Sequence, residues 1–553
     1  MDPLAAAQAL RAATLDKLPR AVTDAAATPR TVATALAVVF ATLFVRKIYR
    51  ALVPPRFLRK YPYARPWTVV RTMLQGHGYL DQHAILHEAM LQDAVDRGII
   101  ASKDEMPAVS LRWFIGRWQV LFANPQDIRQ MLLKHESFDK TVWDAGYLRK
   151  FLGYNIAMVQ IPEWKRQRKV INPAFHRGWN PLMFATPARQ LIKHMDATAA
   201  VPGASLDISG WMQRMALDAL SLAIFGTNMD SLNHPDAPMV ATYNAIVTEV
   251  LDASKVINPT YKFNKHGQRA RELIDTFDRY IFEFIEAKTR KIEEERRTGK
   301  VDEDRDSRDL LTMMIEAAEG NVFSREDLRA NTIIFFMGGH DTTANALSFA
   351  LYRLGMNPAM QDRARQEVIS VMGDIEPNTP FDQVPFPTPE QQRKLVYLGC
   401  CIKEVLRLHP SSANLPEHQT TTAVTLHDGT VLPKDTRVTG DIWALHRNRA
   451  VWGPDVTEFR PERFLDAVNS DGPVPFNAPA HDFGWAPFGA GQRICLGHTF
   501  SLMEQHVVLA MMLLRYTWTV VGDDRALAGN PRTMPGGILH VVGLQLALTR
   551  RDL

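Results

Sequence analysis

The chain has 553 residues, 46% of them hydrophobic and 22% charged, the composition of a globular protein rather than a disordered or fibrous one. Its length allows about three to four domains of ~150 residues, and a net charge of +4 is too mild for a nucleic-acid binder. Three cysteines, two of them the adjacent Cys400 and Cys401, exclude a disulfide framework and place folding in a reducing compartment.

Residues 1–30 read as an alanine-rich polar tail. Thr31 to Val45 is an uncharged apolar run, shorter than the ~20 residues of an untilted membrane span. Ile48 and Tyr49 lengthen its apolar face and Arg30 and Arg46 can snorkel, so residues 31–50 are expected to be a single-pass membrane anchor. The cations Arg46, Lys47, Arg50, Arg56, Arg59, Lys60 and Arg65 outnumber those before the run and place residues 51–553 in the cytosol. Pro54, Pro55, Pro62 and Pro66 make a semi-rigid hinge.

Beyond the hinge, 111–115 and 118–122 alternate around Gly116-Arg117 as a hairpin, and 423–426 with 431–432 around Asp428-Gly429 form a second. Segments 210–225, 268–295, 325–355 and 393–408 carry helical periodicity. Lys288 to Asp309 is a charge run, read as a solvated helix end and surface loop. The strands are few and scattered, so residues 51–553 are expected to form one mainly α body with small β-sheets. His83 and His87 are spaced i, i+4, but with no third ligand they make no zinc site.

Four constellations bear on chemistry. Trp164 and Arg168 stand one helical turn apart. Ser324 and Asp327 form a capping box ahead of an apolar helix. That helix contains Phe335-Phe-Met-Gly-Gly-His-Asp-Thr-Thr343, with two adjacent glycines that each cost about 0.5–1 kcal/mol relative to alanine. Thr342 can return its hydroxyl to the carbonyl four residues back and open a notch, with Asp341 as an acid at the wall. Phe335, Gly339 and Thr342 share one face of this helix.

Glu404 and Arg407 share a helix face at i, i+3, a spacing without weight of its own, since Glu163/Arg166 and Glu390/Arg393 repeat it. Last, Phe488-Gly-Ala-Gly-Gln-Arg-Ile-Cys-Leu-Gly497 sets Cys495 at the start of a helix, where the dipole and free N–H groups favour a thiolate. Its glycines let the backbone approach a flat group, and Arg493 offers a planar fork to a carboxylate. A dinucleotide loop would need a third glycine where Ile494 stands.

The order Phe488, Gly491, Arg493, Cys495, Gly497 resembles the haem-binding loop of the cytochrome P-450 monooxygenases, of the membrane-anchored eukaryotic type with a fungal look. The other motifs follow in that family's order over most of the chain beyond the hinge. The resemblance implies a single helical haem-thiolate domain and haem b (iron protoporphyrin IX) with Cys495 as axial iron ligand, a thiolate that favours O–O cleavage. It gives Trp164 and Arg168 a haem propionate, Asp341 the supply of protons, and Thr342 the hydrogen-bond network of bound dioxygen. Glu404, Arg407 and Arg463 of Phe459-Arg-Pro-Glu-Arg-Phe464 become a buried ion network. Many relatives carry a propionate-binding arginine after Pro410; here Glu417 or His418 stands at that place, with His418 the expected substitute.

The activity implied is insertion of one atom of O2 into a lipophilic substrate of secondary or lipid metabolism, a terpenoid, sterol-like compound or fatty acyl chain. Electrons would come from a separate NADPH–cytochrome reductase, with cytochrome b5 as auxiliary, at the endoplasmic reticulum membrane. Trp143, Phe335, Gly339 and Ile538 would line the substrate side. A haem-thiolate isomerase, dehydratase or peroxygenase and a non-catalytic haem sensor are the alternatives, and the Asp341–Thr342 pair argues against both.

Overall fold

A computed structural model describes residues 29–114, 116–141, 146–176, 178–250, 261–298, 309–376, 378–465, 483–535 and 538–551. The chain divides into a small unit, residues 1–60 with 116–118, and a large one, residues 61–115 with 119–553.

In the small unit, helix α1 (Pro29–Leu52) contains the expected anchor. Several of its apolar side chains are exposed, Leu36 by 65% and Phe40 by 72%. Among the described residues no helix is long and apolar enough to cross a membrane. The reason is the early arrival of Arg46, Lys47 and Arg50. An uncharged run from 31 to 45 rises only about 22 Å as a helix, against a hydrocarbon core of ~30 Å. Among the described residues α1 is thus an exposed apolar helix with a basic C-terminal end, whose uncharged run is shorter than an untilted span.

The large unit is mainly helical. Its site is built on α2 (Glu163–His176), α3 (Ile208–Leu220), α4 (Pro238–Val250), α5 (Arg325–Met356), α6 (Val396–Leu408) and α7 (His498–Arg515). Helix α5 starts at the expected capping box: Asp327 N–H donates to Ser324 Oγ at 3.0 Å, and Ser324 N–H to the Asp327 carboxylate at 2.9 Å. It then runs unbroken through Gly338 and Gly339, packed chiefly against α3, with most of its side chains buried. Helix α3 is extended by a π-helical turn, Ser221–Phe225, that stops at Gly226 in the left-handed region. The expected helix 393–408 is two, Pro389–Lys394 and α6, broken at Leu395, whose ψ of 65° ends one and caps the other.

Three small sheets complete the unit. Strands β1 (Val109–Phe114) and β2 (Arg117–Phe122) are the expected first hairpin; β3 is Phe138–Lys140, β4 Leu206–Asp207 and β5 His418–Thr420. Strands β6 (Val424–Thr425) and β7 (Val431–Leu432) are the second hairpin, with Gly429 at φ +81° in its turn. The remaining strands are β8 (Arg437–Gly440), β9 (Tyr516–Val521) and β10 (Gln545–Arg550). The sheet orders are β1-β2-β8-β5-β3, β4-β10-β9 and β6-β7. The register that matters for the site is antiparallel β3 on β5, which sets Lys140 opposite His418.

Candidate active site

The Cys495 loop is closed by its own backbone. Cys495 N–H donates to the Phe488 carbonyl at 3.0 Å, and His498 Nδ1 donates to the Cys495 carbonyl at 2.7 Å. Gly491 has φ +68°, and a Cβ there would lie 2.7 Å from the Leu132 carbonyl oxygen, so no larger residue fits. Gly497 caps α7 with nothing opposite its Cα hydrogen. Cys495 is solvent-exposed. Burial of its surroundings raises the thiol pKa, while the Gly497 N–H and Arg168 pull it down, the direction expected of a cysteine at a helix start.

Around the loop, cations gather. Trp164, on α2, is buried; the Arg493 guanidinium lies 4.6 Å and that of Arg168 5.9 Å from its ring centre. Arg168 Nη1 donates to the Ile494 carbonyl at 3.3 Å. Arg493 donates to the Val159 carbonyl at 2.8 Å and to Asp139 at 3.0 Å. Lys140 and His418 face it across the β3–β5 pair, both buried, and His418 Nδ1 has no hydrogen-bond partner. Burial and then the Arg493 charge hold Lys140 down to about 7, against the pull of Asp139. Burial likewise lowers Arg493 to about 10, with Asp139 opposing. The buried Lys140 and His418 and the half-buried Arg168 and Arg493, beside the exposed Cys495, form a cradle for a group bearing carboxylates. Glu417 takes no part, because Arg437 Nη1 donates to it at 2.7 Å.

On the opposite wall, Thr342 Oγ1 donates to the Gly338 carbonyl at 2.8 Å, the back-bond expected from the sequence, though the helix does not open. Thr343 Oγ1 and Ser501 Oγ meet at 2.9 Å, joining this segment of α5 to α7 one turn beyond the Cys495 loop. Asp341 is 5% exposed and turned toward α3 and α4, where Gln213 and Tyr243 donate to its carboxylate. A Cβ on Gly338 would meet nothing within 4 Å, whereas one on Gly339 would lie 2.4 Å from a Leu220 methyl. Gly339 is therefore a packing glycine against α3, and Gly338 is the one with open space.

A family model for cytochrome P450 matches residues 105–540. The chain is similar to cytochrome P450 4F3 of Rattus norvegicus, 29% identical over 90% of this chain and 90% of that protein. It is also similar to cytochrome P450 4F12 of Homo sapiens, 32% identical over 67% of this chain and 69% of the relative, and to cytochrome P450 734A4 of Oryza sativa subsp. japonica, 29% identical over 73% and 76%. The chain belongs to the cytochrome P450 family.

The cofactor of this P450 is haem with a cysteine thiolate as axial ligand, and the residues fit it. Cys495 alone has an accessible thiol, since Cys400 and Cys401 are buried in α6 with thiol pKa values pushed up by burial. The P450 ion network is complete. Arg407 forks onto Glu404 at 2.7 and 2.8 Å, with both side chains 0% exposed. Arg463 adds a contact to Glu404 at 3.3 Å and a second ion pair to Asp455 at 2.8 Å. Backbone carbonyls of His446, Val456 and Glu458 take the other Arg407 protons, so the buried charges are all paired.

Of the expected substrate-side residues, Trp143 lies outside the described residues, Gly339 packs on Leu220, and Phe335 meets the ring of Phe175 on α2 at 5.7 Å. Ile538 is half-buried beside Leu539, whose N–H donates to the Ser411 carbonyl at 2.9 Å. Lys140, Gln213 and Tyr243 were not legible as site residues. Each arrives from a distant element, and none stands in a motif.

Proposed function

We propose that this P450 inserts one oxygen atom from O2 into a lipophilic, mostly uncharged substrate, a terpenoid, a sterol-like compound or a fatty acyl chain. The observation that carries the reading is the junction at Ser411. Its Oγ donates to the Thr342 carbonyl at 2.8 Å, and its own carbonyl accepts from Leu539 N–H. This draws the uncharged segment 411–416, together with Ile538 and Leu539, to the helix face that bears Thr342 and the open side of Gly338. A wall of this composition favours apolar ligands by roughly 25 cal/mol per Å² removed from water and strongly disfavours an unpaired ion.

Haem, when bound, supplies the iron at which dioxygen is activated. The protein's part is positional. Cys495 would hold the iron, and Arg168, Arg493, Lys140 and His418, with Trp164, would hold the propionates. Thr342 would offer its hydroxyl beside the open side of Gly338, and Asp341 would pass protons toward it. Electrons come from a separate reductase. The exposed apolar face of α1, followed by Arg46, Lys47 and Arg50, supports attachment to an anionic membrane surface such as the endoplasmic reticulum, where NADPH–cytochrome reductase and cytochrome b5 would meet it.

Binding difference spectra with farnesol, dodecanoic acid, testosterone and a set of polar aromatics test the reading, followed by reductase-dependent NADPH consumption. A spin-state shift with the apolar compounds is the expected result. Preference for small charged ligands refutes it.

A further inference from the structure

Asp341 is held by neighbours from three places. Gln213 Nε2 on α3 donates to Oδ1 at 2.9 Å, the Tyr243 hydroxyl on α4 donates to Oδ2, and His340 Nε2 lies 3.1 Å from Oδ1. His340 is 1% exposed, and its Nδ1 contacts the Phe336 carbonyl. A carbonyl only accepts, so Nδ1 carries a proton. His340 Nε2 and Asp341 Oδ1 stand at ion-pair distance in a buried site, where a proton on Nε2 is favoured over a bare lone pair facing a carboxylate oxygen. The donated bonds from Tyr243 and Gln213 favour an ionised carboxylate, which leaves that proton on the imidazole.

We infer that His340 is the proton-holding and positioning residue for Asp341. Its imidazole stores the proton that Asp341 passes toward the Thr342 hydroxyl, while Tyr243 and Gln213 fix the carboxylate that receives it. The inference rests on the proposed role of Asp341. In the transfer, the Nε2–H bond breaks and an Oδ1–H bond forms. The proton then leaves the carboxyl toward that hydroxyl, Nδ1–H is retained, and the neutral imidazole is reprotonated from solvent.

The electrostatics agree. Burial alone would raise the Asp341 pKa and lower that of His340, yet their mutual attraction reverses both: the carboxyl is held well below its ordinary range and the imidazole above its own. A second imidazole, half-buried His540 of the C-terminal loop, faces the same pair; burial lowers its pKa, while Asp341 and Asp207 oppose that. The groups facing the pair are thus Gln213 from α3, Tyr243 from α4 and His540, which lies on the side with solvent access.

The test uses the full-length holoenzyme and its reductase. Without the imidazolium, Asp341 loses its counter-charge in a buried site and takes up a proton. His340→Gln should therefore show a protonated-carboxyl infrared band that is absent from wild type and from the His340→Gln/Asp341→Asn double variant. It should keep the thiolate carbon-monoxide band and release several-fold more peroxide per NADPH. The probe is whichever of farnesol, dodecanoic acid or testosterone gives the largest spin-state shift. Tyr243→Phe, which preserves volume, should raise peroxide release less. If His340→Gln fails to incorporate haem, raised peroxide release in Tyr243→Phe sustains the inference and wild-type coupling there overturns it. No new carboxyl band, or wild-type coupling in a haem-loaded His340→Gln, overturns it while Asp341→Asn remains uncoupled. Normal coupling in Asp341→Asn removes the role of Asp341 and the inference with it.

Discussion

Arg407 and His446 hold each other twice. Arg407 Nη1 donates to the His446 carbonyl at 2.8 Å, and His446 Nδ1 donates to the Arg407 carbonyl at 3.1 Å. The free edge of the ring, Nε2, accepts from Ala486 N–H at 3.0 Å, two residues ahead of Phe488. The buried ion network is therefore coupled through one imidazole to the start of the haem loop. Trp485 adds a parallel tie, its indole N–H donating to the Lys403 carbonyl at 3.2 Å.

Glu404→Gln should cost about 3–5 kcal/mol, because it strands Arg407 without a counter-charge in the interior and leaves Arg463 only its pair with Asp455. The haem loop should loosen with it, seen as a lower unfolding midpoint and a carbon-monoxide spectrum without the thiolate band. Glu390→Gln breaks an i, i+3 pair of identical spacing whose partners are 69% and 68% exposed, and should leave both readouts unchanged.

Cys495→Ser should abolish the thiolate carbon-monoxide band altogether. Cys400→Ser and Cys401→Ser should keep it, since both thiols are buried in α6 away from the haem loop. Retention of the band in the Cys495 variant would sink the assignment of the ligand.

Lys140 should make haem retention depend on pH. In the protein alone its pKa is lowered to about 7, and a propionate beside it would raise that value. Haem binding then takes up a proton, so affinity is greatest below about pH 7 and weakens as pH rises through the raised value in the complex. Lys140→Met should flatten this dependence and speed haem transfer to apomyoglobin at neutral pH by about 10-fold or more, from the ~1.5–3 kcal/mol of a charged hydrogen bond. An unchanged transfer rate and pH profile would exclude Lys140 from the propionate cradle.

These cases show which parts of the site can be read along the chain. The Cys495 loop is legible because its constraints are local: a tight backbone, a ligand and a guanidinium within one short stretch. Glu404 and Arg407 are legible only through their neighbours, since spacing alone does not separate a fully buried pair from the exposed Glu390 and Arg393. Lys140, Gln213 and Tyr243 acquire meaning only from packing, across a strand pair or between helices. Strand β9 alternates buried Tyr516, Trp518 and Val520 with exposed Thr517 and Thr519, but it follows α7 without a turn, so no boundary marks it. The apolar run of α1 and the cations after it are legible in the sequence, and so is its shortfall in length: among the described residues no helix is long and apolar enough to cross a membrane.

Thr342→Ala should leave haem and the spin-state shift intact but send more reducing equivalents to peroxide, because the hydroxyl beside Gly338 is lost while the helix keeps its backbone bonds. Product formation as tightly coupled to NADPH as in wild type would show that the hydroxyl has another task.

The adjacent glycines of α5 should respond oppositely to alanine. Gly339 faces Leu220, and a Cβ there would lie 2.4, 3.0 and 3.2 Å from its Cδ1, Cδ2 and Cγ. Leu220 is 2% exposed and cannot simply swing into solvent, so Gly339→Ala should destabilise by about 1–3 kcal/mol through overpacking. Pairing it with Leu220→Ala should recover part of that loss, because the cavity left by one substitution receives the methyl of the other. Gly338→Ala meets nothing within 4 Å and should gain about 0.5–1 kcal/mol from its better helix propensity. Its new methyl instead points to the open side, where it should alter the spin-state shift with farnesol, dodecanoic acid or testosterone without lowering the unfolding midpoint. Thermal unfolding and binding difference spectra on the four proteins decide the matter, and a destabilised Gly338→Ala beside an unaffected Gly339→Ala would reverse the assignment of the two faces.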